Sequence, residues 1–73
     1  MTAEKALVTG ATGYIGGHVA RRLLAEGYDV RALARDPRKG EDLRELGAEV
    51  VQGDVRDSGS VNKAVDGVDT VYN

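Results

Sequence analysis

The segment TGATGYIGG at residues 9–17 constrains the fold of this chain more than any other, because four of its nine residues are glycine. It directly follows the apolar run ALV at residues 6–8, which is suited to a short strand. Behind the glycines, Ile15, Val19 and Leu23 recur at every fourth position, which is the spacing of one helix face. The segment therefore predicts a strand, a tight glycine turn and a helix.

The alternation of strand and helix continues along the sequence. Three further apolar runs predict strands at residues 30–34, 49–51 and 68–72. Asp36, a capping residue followed by proline, predicts the start of a second helix. Gly40 lies near that start, so the helix is expected to be short or to begin later in the sequence. Asp57 or Ser58 is predicted to begin a third helix. The glycines that end the helices are Gly27, Gly47 and Gly67. Strands that alternate with helices predict an α/β fold of parallel βαβ units with right-handed crossovers.

The length and composition fit a single small domain spanning residues 1–73. Cysteine is absent and histidine occurs once, so neither a disulfide nor a metal site is predicted. A net charge of −2 gives no general attraction for nucleic acid or for an anionic membrane surface. No apolar run approaches the roughly 20 residues of a membrane span, and the first residues lack a signal-peptide pattern. A cytoplasmic location is therefore expected.

Each glycine of the turn has its own predicted role. The first helix of a parallel βαβ unit directs its unpaired N–H groups and positive dipole end at the carboxyl edge of the sheet, where they can bind an anion. Gly10 permits the tight turn, Gly13 lets main chain approach a pyrophosphate, and Gly16 lets the helix pack on the strand. The alternative is a plain turn, because the spacing Gly-x-x-Gly-x-x-Gly matches the common fingerprint only loosely.

Three stretches carry a family resemblance: TGATGYIGGHVARRLLAEGYDVRALARDP, GAEVVQGDVRD and VDGVDTVYN. They resemble the start of the extended and atypical short-chain dehydrogenase/reductase families, which include sugar-nucleotide epimerases, NmrA-like proteins and NAD(P)-binding reductases. The resemblance implies a Rossmann-like, three-layer half-domain with a parallel four-stranded sheet of order 3-2-1-4. It also implies that the dinucleotide pyrophosphate is lined, mostly through main chain, by Gly10, Thr12, Gly13, Tyr14, Ile15 and Gly16.

The residues after the second predicted strand bear on the choice of cofactor. An acidic residue there accepts hydrogen bonds from the ribose, whereas a basic residue accommodates a 2′-phosphate. The family pattern puts Ala34 at the acidic position, with Arg35 directly after it and with Arg38 and Lys39 close behind. Arg35 is thus the predicted principal phosphate contact, and NADP is preferred to NAD. NAD stays possible for two reasons. The cations are also typical of the solvated start of a helix, and the Asp36 carboxylate could accept hydrogen bonds from the ribose if the strand ends one residue later.

Asp54 and Val55 follow the third predicted strand. In relatives an aspartate at this place lies beside the adenine amino group, so the resemblance assigns Asp54 to that group and Val55 to the ring. The alternative is an aspartate that accepts hydrogen bonds from the amides of a turn at the end of a strand. Asp57 fits a helix cap better than a ligand.

The family's catalytic pair is not found in the sequence. Its enzymes use a Tyr-x-x-x-Lys pair, in which the phenol exchanges a proton with the substrate and the lysine lowers its pKa. Tyr14 is followed four positions later by His18, Tyr28 by Ala32, and Tyr72 lies one residue from the end. His18, next to Arg21 and Arg22, is interpreted as a surface residue. No catalytic residue is predicted.

The sequence is compatible with several functions. The first is an NAD(P)-binding module, truncated or engineered, that holds the adenosine-phosphate and pyrophosphate part of the cofactor without turnover. The others are the N-terminal segment of an NADP-dependent oxidoreductase or epimerase, a non-catalytic redox sensor, and an assembly unit without ligand affinity. The last strand, VDTVY, would be a sheet edge rich in β-formers, which predicts a homo-oligomer formed through that edge.

Overall fold

The computed structural model describes residues 4–11 and 13–72. Its four strands are β1 (Lys5–Thr9), β2 (Asp29–Ala34), β3 (Glu49–Gln52) and β4 (Thr70–Tyr72). All neighbouring strands are parallel, and their order is β3-β2-β1-β4. The predicted α/β class and the strand order 3-2-1-4 are confirmed. The fourth strand is shorter than the predicted range 68–72. Directly before it, Asp69 is hydrogen-bonded to the Lys5 main chain through its side chain and its own main chain.

Three α-helices connect the strands: α1 (Tyr14–Ala25), α2 (Glu41–Glu45) and α3 (Ser58–Ala64). A 3₁₀ turn at Pro37–Gly40 precedes α2, so the second helical segment is short, as predicted. Asp36 and Asp57 cap their segments, since each carboxylate accepts the backbone N–H two residues further on. The predicted glycines after the helices have positive φ, at Gly27, Gly47 and Gly67.

The sheet is covered on both faces because alternate side chains of a strand point to opposite sides. Ala6 and Val8 pack on one side with Ala20 and Leu23 of α1 and with Leu43 of α2. On the other side, Leu7 of β1 and Leu33 of β2 pack with Ala64 of α3. This arrangement has three layers, with α1 and α2 opposite α3.

The first helix departs from its sequence pattern at one position. The expected apolar stripe includes Ile15, but 76% of this residue is exposed, whereas Leu23 is buried. The helix begins at the glycine turn, so its first residues lie beyond the sheet they would otherwise cover. Ile15 is therefore available to a cleft and is not part of the core.

Two strands form the edges of the described sheet. β3 pairs with β2, and β4 pairs with β1, along the part of the chain that the structure describes. Among these same residues, no helix is long and apolar enough to cross a membrane.

Candidate functional site

The glycine turn joins β1 to α1 in a conformation that requires glycine. Gly10 has a φ of +65°, which side chains disfavour, and its carbonyl oxygen accepts the Gly13 N–H at 2.9 Å. A Cβ on Gly16 would lie 2.1 Å from the Gly10 oxygen and 2.7 Å from the Gly10 carbonyl carbon. The start of α1 therefore packs against main chain, and the residues it meets are Gly10 and Ala11 of the turn directly after the predicted strand.

Among the residues that the structure describes, no side chain caps the N-terminus of α1. Its N-cap is Gly13, and its first turn contains no acidic residue, whereas α3 has its Asp57 cap. First-turn N–H groups without a cap are available to an anion, and the dipole of a 12-residue helix favours negative charge there. Tyr14 begins the helix. Thr12, predicted to line the same site, lies outside the described residues.

A cleft of about 480 Å³ opens where the chain leaves three neighbouring strands. Its lining comes from the turn after β1, the end of β2 and the loop after β3, and consists of Gly10, Gly13, Leu33, Ala34, Arg35, Gly53, Asp54, Val55 and Arg56. The carboxyl ends of parallel strands are where open α/β sheets bind ligands. The structure thus brings the predicted Arg35, Asp54 and Val55 together with the glycine turn.

The Asp54 carboxylate is held by Arg56. The Arg56 backbone N–H donates to Oδ1 at 2.9 Å, Nε donates to both oxygens at 3.2 Å, and Nη2 donates to Oδ2 at 2.8 Å. These hydrogen bonds, with a smaller contribution from the charge of Arg35, lower the pKa of Asp54 to about 2. The carboxylate is therefore anionic at neutral pH and already engaged by the protein.

Arg38 lies apart from the cleft, whose lining does not include it. Its Nε and Nη2 donate to the two oxygens of Asp36, each at 3.1 Å, and the side-chain hydrogen bond lowers the pKa of Asp36. Asp36 is accordingly a capping residue, as predicted. Lys39 lines a different depression of about 330 Å³, together with His18 and Arg21.

A second cleft, of about 360 Å³, begins on the opposite side of Gly10. Its lining is largely apolar and comes from β1, the start of α1 and β4, namely Val8, Thr9, Gly10, Ile15, Gly16, Val19 and Tyr72. The glycine turn therefore separates two clefts along the carboxyl edge of the sheet, and the exposed Ile15 belongs to the second one.

Arg56 is a charged residue of the cleft that was not predicted from the sequence. A signal was present, because Asp54-Val55-Arg56 repeats the Asp-x-Arg pattern of residues 36–38. No group of three or more His, Asp or Glu side chains among the described residues could hold a metal ion.

Comparison with known proteins agrees with the fold and places the chain in a family. The sequence profile of the NmrA-like family matches residues 2–73. The chain belongs to the NmrA-like family. It is 44% identical over 66 residues to sterol demethylase protein B of Methylococcus capsulatus, and the alignment covers 90% of this chain and 20% of that protein. This NmrA-like chain thus spans about a fifth of the length of that relative.

Two solved structures are similar to the NmrA-like chain over nearly all its residues. A short chain dehydrogenase/reductase family protein superposes with a TM-score of 0.82 and 39% identity, covering 96% of this chain and 32% of that one. AtPrR2 with NADP+ and (+)pinoresinol superposes with a TM-score of 0.84 and 29% identity, covering 97% of this chain and 25% of that one. These similarities confirm the prediction that the chain is a Rossmann-like half-domain of the short-chain dehydrogenase/reductase type.

Proposed function

We propose that this chain is an NAD(P)-binding module that holds the adenosine, phosphate and pyrophosphate parts of the cofactor. The main support is the glycine turn. The close contact of Gly16 with Gly10 holds the uncapped start of α1 in place, and this helix end lies between two clefts. A pyrophosphate at that helix end would accept hydrogen bonds from main chain near Gly10, Gly13, Ile15 and Gly16, with Thr12 and Tyr14 completing the predicted set. The adenosine would occupy the 480 Å³ cleft.

We propose NADP as the preferred cofactor, with NAD as the weaker one. Arg35 lines the adenosine cleft directly after β2, and it forms no ion pair with a carboxylate among residues 4–11 and 13–72. Its guanidinium can therefore pair with a ribose 2′-phosphate. The NADP+ in the AtPrR2 structure supports the same choice.

We also propose that this chain has no catalytic residues of its own, because its sequence contains no Tyr-x-x-x-Lys pair. A second candidate is that it forms the cofactor-binding part of an NADP-dependent oxidoreductase or epimerase, which the short-chain dehydrogenase/reductase neighbour favours. Both candidates predict no turnover by the chain alone. An assay with NADPH and a carbonyl substrate therefore tests the absence of catalytic residues, and measurable turnover would contradict it.

The cofactor proposal is tested by Arg35→Glu. Charge-assisted hydrogen bonds are lost and a carboxylate is placed beside the phosphate, so NADP+ affinity is expected to fall by roughly 100-fold. NAD+ affinity is expected to change by less than about threefold, because a carboxylate can accept hydrogen bonds from the ribose hydroxyls. Isothermal titration calorimetry with each cofactor measures both. Equal losses for the two cofactors would contradict the placement of the 2′-phosphate at Arg35.

Self-association through β4 is proposed as well. Val71 is 49% exposed, and β4 pairs only with β1 among the described strands, so its other edge offers main-chain groups to a second strand. Antiparallel pairing of two β4 strands about a two-fold axis would join two sheets and would bring the apolar cleft at Ile15 and Tyr72 towards the second copy.

A further inference from the structure

Two turns of this chain have the same local chemistry. Asp36-Pro37-Arg38 follows β2, and Asp54-Val55-Arg56 follows β3. In both, the aspartate accepts the backbone N–H of the arginine two residues later and binds its guanidinium through Nε and Nη2. The two arginines are thus held in the same way, and only their surroundings differ.

Only the second of these arginines lines the cleft at the carboxyl edge of the sheet. Arg56 forms part of the 480 Å³ cleft beside Val55 and the end of β2, whereas Arg38 does not. Both guanidinium groups are largely exposed, with 75% of the Arg56 side chain and 89% of the Arg38 side chain accessible. Because the two arginines have similar exposure and the same type of ion pair, they differ mainly in their position relative to the cleft.

The hydrogen bonds of Asp54 leave its carboxylate little capacity for a ligand. A carboxylate has about four lone-pair positions, and three N–H groups of Arg56 make four contacts with Asp54, two at each oxygen, because Nε–H is shared between the two oxygens. What the pair presents to the cleft is consequently the guanidinium group. Its Nη1 donates no hydrogen bond within the described residues.

The fixed guanidinium plane suits a flat, uncharged ring better than a phosphate. Because Nε and Nη2 are both bound to one carboxylate, the orientation of the plane is set before any ligand arrives, and guanidinium planes stack on nucleic-acid bases. A phosphate dianion at Arg56 would also meet the Asp54 carboxylate and be repelled by it, whereas an adenine ring would not. The exposed Val55 next to it adds apolar surface for the ring.

Building on the proposed function, we propose that Arg56 is a base-binding residue that stacks on the adenine of the dinucleotide, and that Asp54 is the positioning residue that holds it there. The two cleft arginines then have different roles. Arg35 binds the 2′-phosphate and sets the preference between cofactors, whereas Arg56 binds the base that both cofactors share. This assigns Arg56, rather than Arg38, as the second arginine of the site.

The test compares Arg56→Ala with the matched control Arg38→Ala. Calorimetric titrations with NADP+ and with NAD+ are expected to show that Arg56→Ala weakens both by about tenfold. Arg38→Ala should change either affinity by less than about twofold, since it removes the same type of ion pair outside the cleft. Arg56→Lys keeps the charge but loses the plane and the fork, so it should behave like the alanine variant. Circular dichroism spectra check that each variant is folded.

A second measurement follows the base without the dinucleotide. Adenosine 5′-monophosphate is titrated into ¹⁵N-labelled chain, and the Arg56 Nε–H signal is followed by NMR. A shift that saturates supports the base contact even if neither dinucleotide binds, an outcome that would refute only the proposed function. An unmoved Arg56 signal at saturating nucleotide, or equal affinities of the Arg56→Ala and Arg38→Ala variants, would overturn the inference.

The role of Asp54 is separated by a double variant. If Asp54 acts through Arg56, then Asp54→Ala weakens binding by itself but causes no further loss in the Arg56→Ala background. A further loss there would show that Asp54 contacts the base directly, as the family resemblance implies. A loss confined to NADP+ in Arg56→Ala would instead make this residue a phosphate contact.

Discussion

Replacing Gly16 with alanine is expected to destabilise the chain even though alanine favours helix. The new Cβ would lie 2.1 Å from the Gly10 oxygen, more than 1 Å closer than the 3.4 Å at which ordinary contacts begin. Main-chain atoms of Gly10 and Ala11 surround it, so no side chain can rotate away. The helix cannot shift freely either, because Ala20 and Leu23 further along it are buried in the core.

The size of the effect follows from two opposing contributions. Alanine in place of glycine stabilises a helix by about 1 kcal/mol, whereas overpacking costs about 1–3 kcal/mol and occasionally more. Because the clash at Gly16 is with main-chain atoms of Gly10 and Ala11, the upper part of that range applies. We expect a net loss of about 2 kcal/mol in the free energy of unfolding. For a domain of this size the loss lowers Tm by about 8–16 °C.

Urea unfolding followed by circular dichroism at 222 nm measures this loss, with Gly17→Ala as the matched control. Gly17 is the next residue of the same helix, but its Cβ would lie 3.3 Å from the Ala11 oxygen, which needs a shift of only a few tenths of an ångström. Its helix-propensity gain should roughly offset that shift, leaving stability within about 0.5 kcal/mol of the unsubstituted chain. Unfolding of the two variants at the same urea concentration would show that α1 does not pack tightly against the main chain of the turn.

Two further predictions concern the ion pair and the sheet edge. Asp54 should titrate at about pH 2 in ¹³C NMR of the carboxyl groups, and Arg56→Ala should raise the pKa of Asp54 towards the ordinary value of about 3.9. Because the pKa is lowered in the folded chain, the stability that the ion pair contributes is complete above the unfolded pKa and is lost as the pH falls towards 2. A titration midpoint near pH 4 in the unsubstituted chain would contradict the pairing. In sedimentation velocity, the unsubstituted chain should self-associate and the Val71→Lys variant should be a monomer, because a lysine on an edge strand opposes pairing with a second strand. An unsubstituted chain that is monomeric at high micromolar concentration would refute association through β4.

The fold could be predicted from sequence because its signals are local and agree with one another. Glycines end the first strand and the three helices, and Asp36 and Asp57 cap helical segments where the pattern puts them. The exposed position of Ile15 could not be predicted in this way. Helical spacing says which residues share a face, but it does not say where the helix extends past the sheet that the face would cover.

Part of the candidate site could be predicted by the same logic, since residues that follow parallel strands meet at one edge of the sheet. Arg35 and Asp54 fit this rule, and both line the cleft. The choice between Arg38 and Arg56 does not follow from it. Each belongs to an Asp-x-Arg turn after a strand, and their local sequences give no reason to prefer one.

What separates the two arginines is the direction in which the chain leaves the sheet. After Arg38 it continues into α2, whose Leu43 packs with Ala6 and Val8 on one face. After Arg56 it continues into α3, whose Ala64 packs on the other face. The face that α3 covers depends on whether the next strand, β4, lies next to β3 or next to β1 in the sheet. This is a property of the whole topology. Identical local chemistry can therefore serve as a helix cap at one strand end and, by our inference, as a base-binding wall at the next.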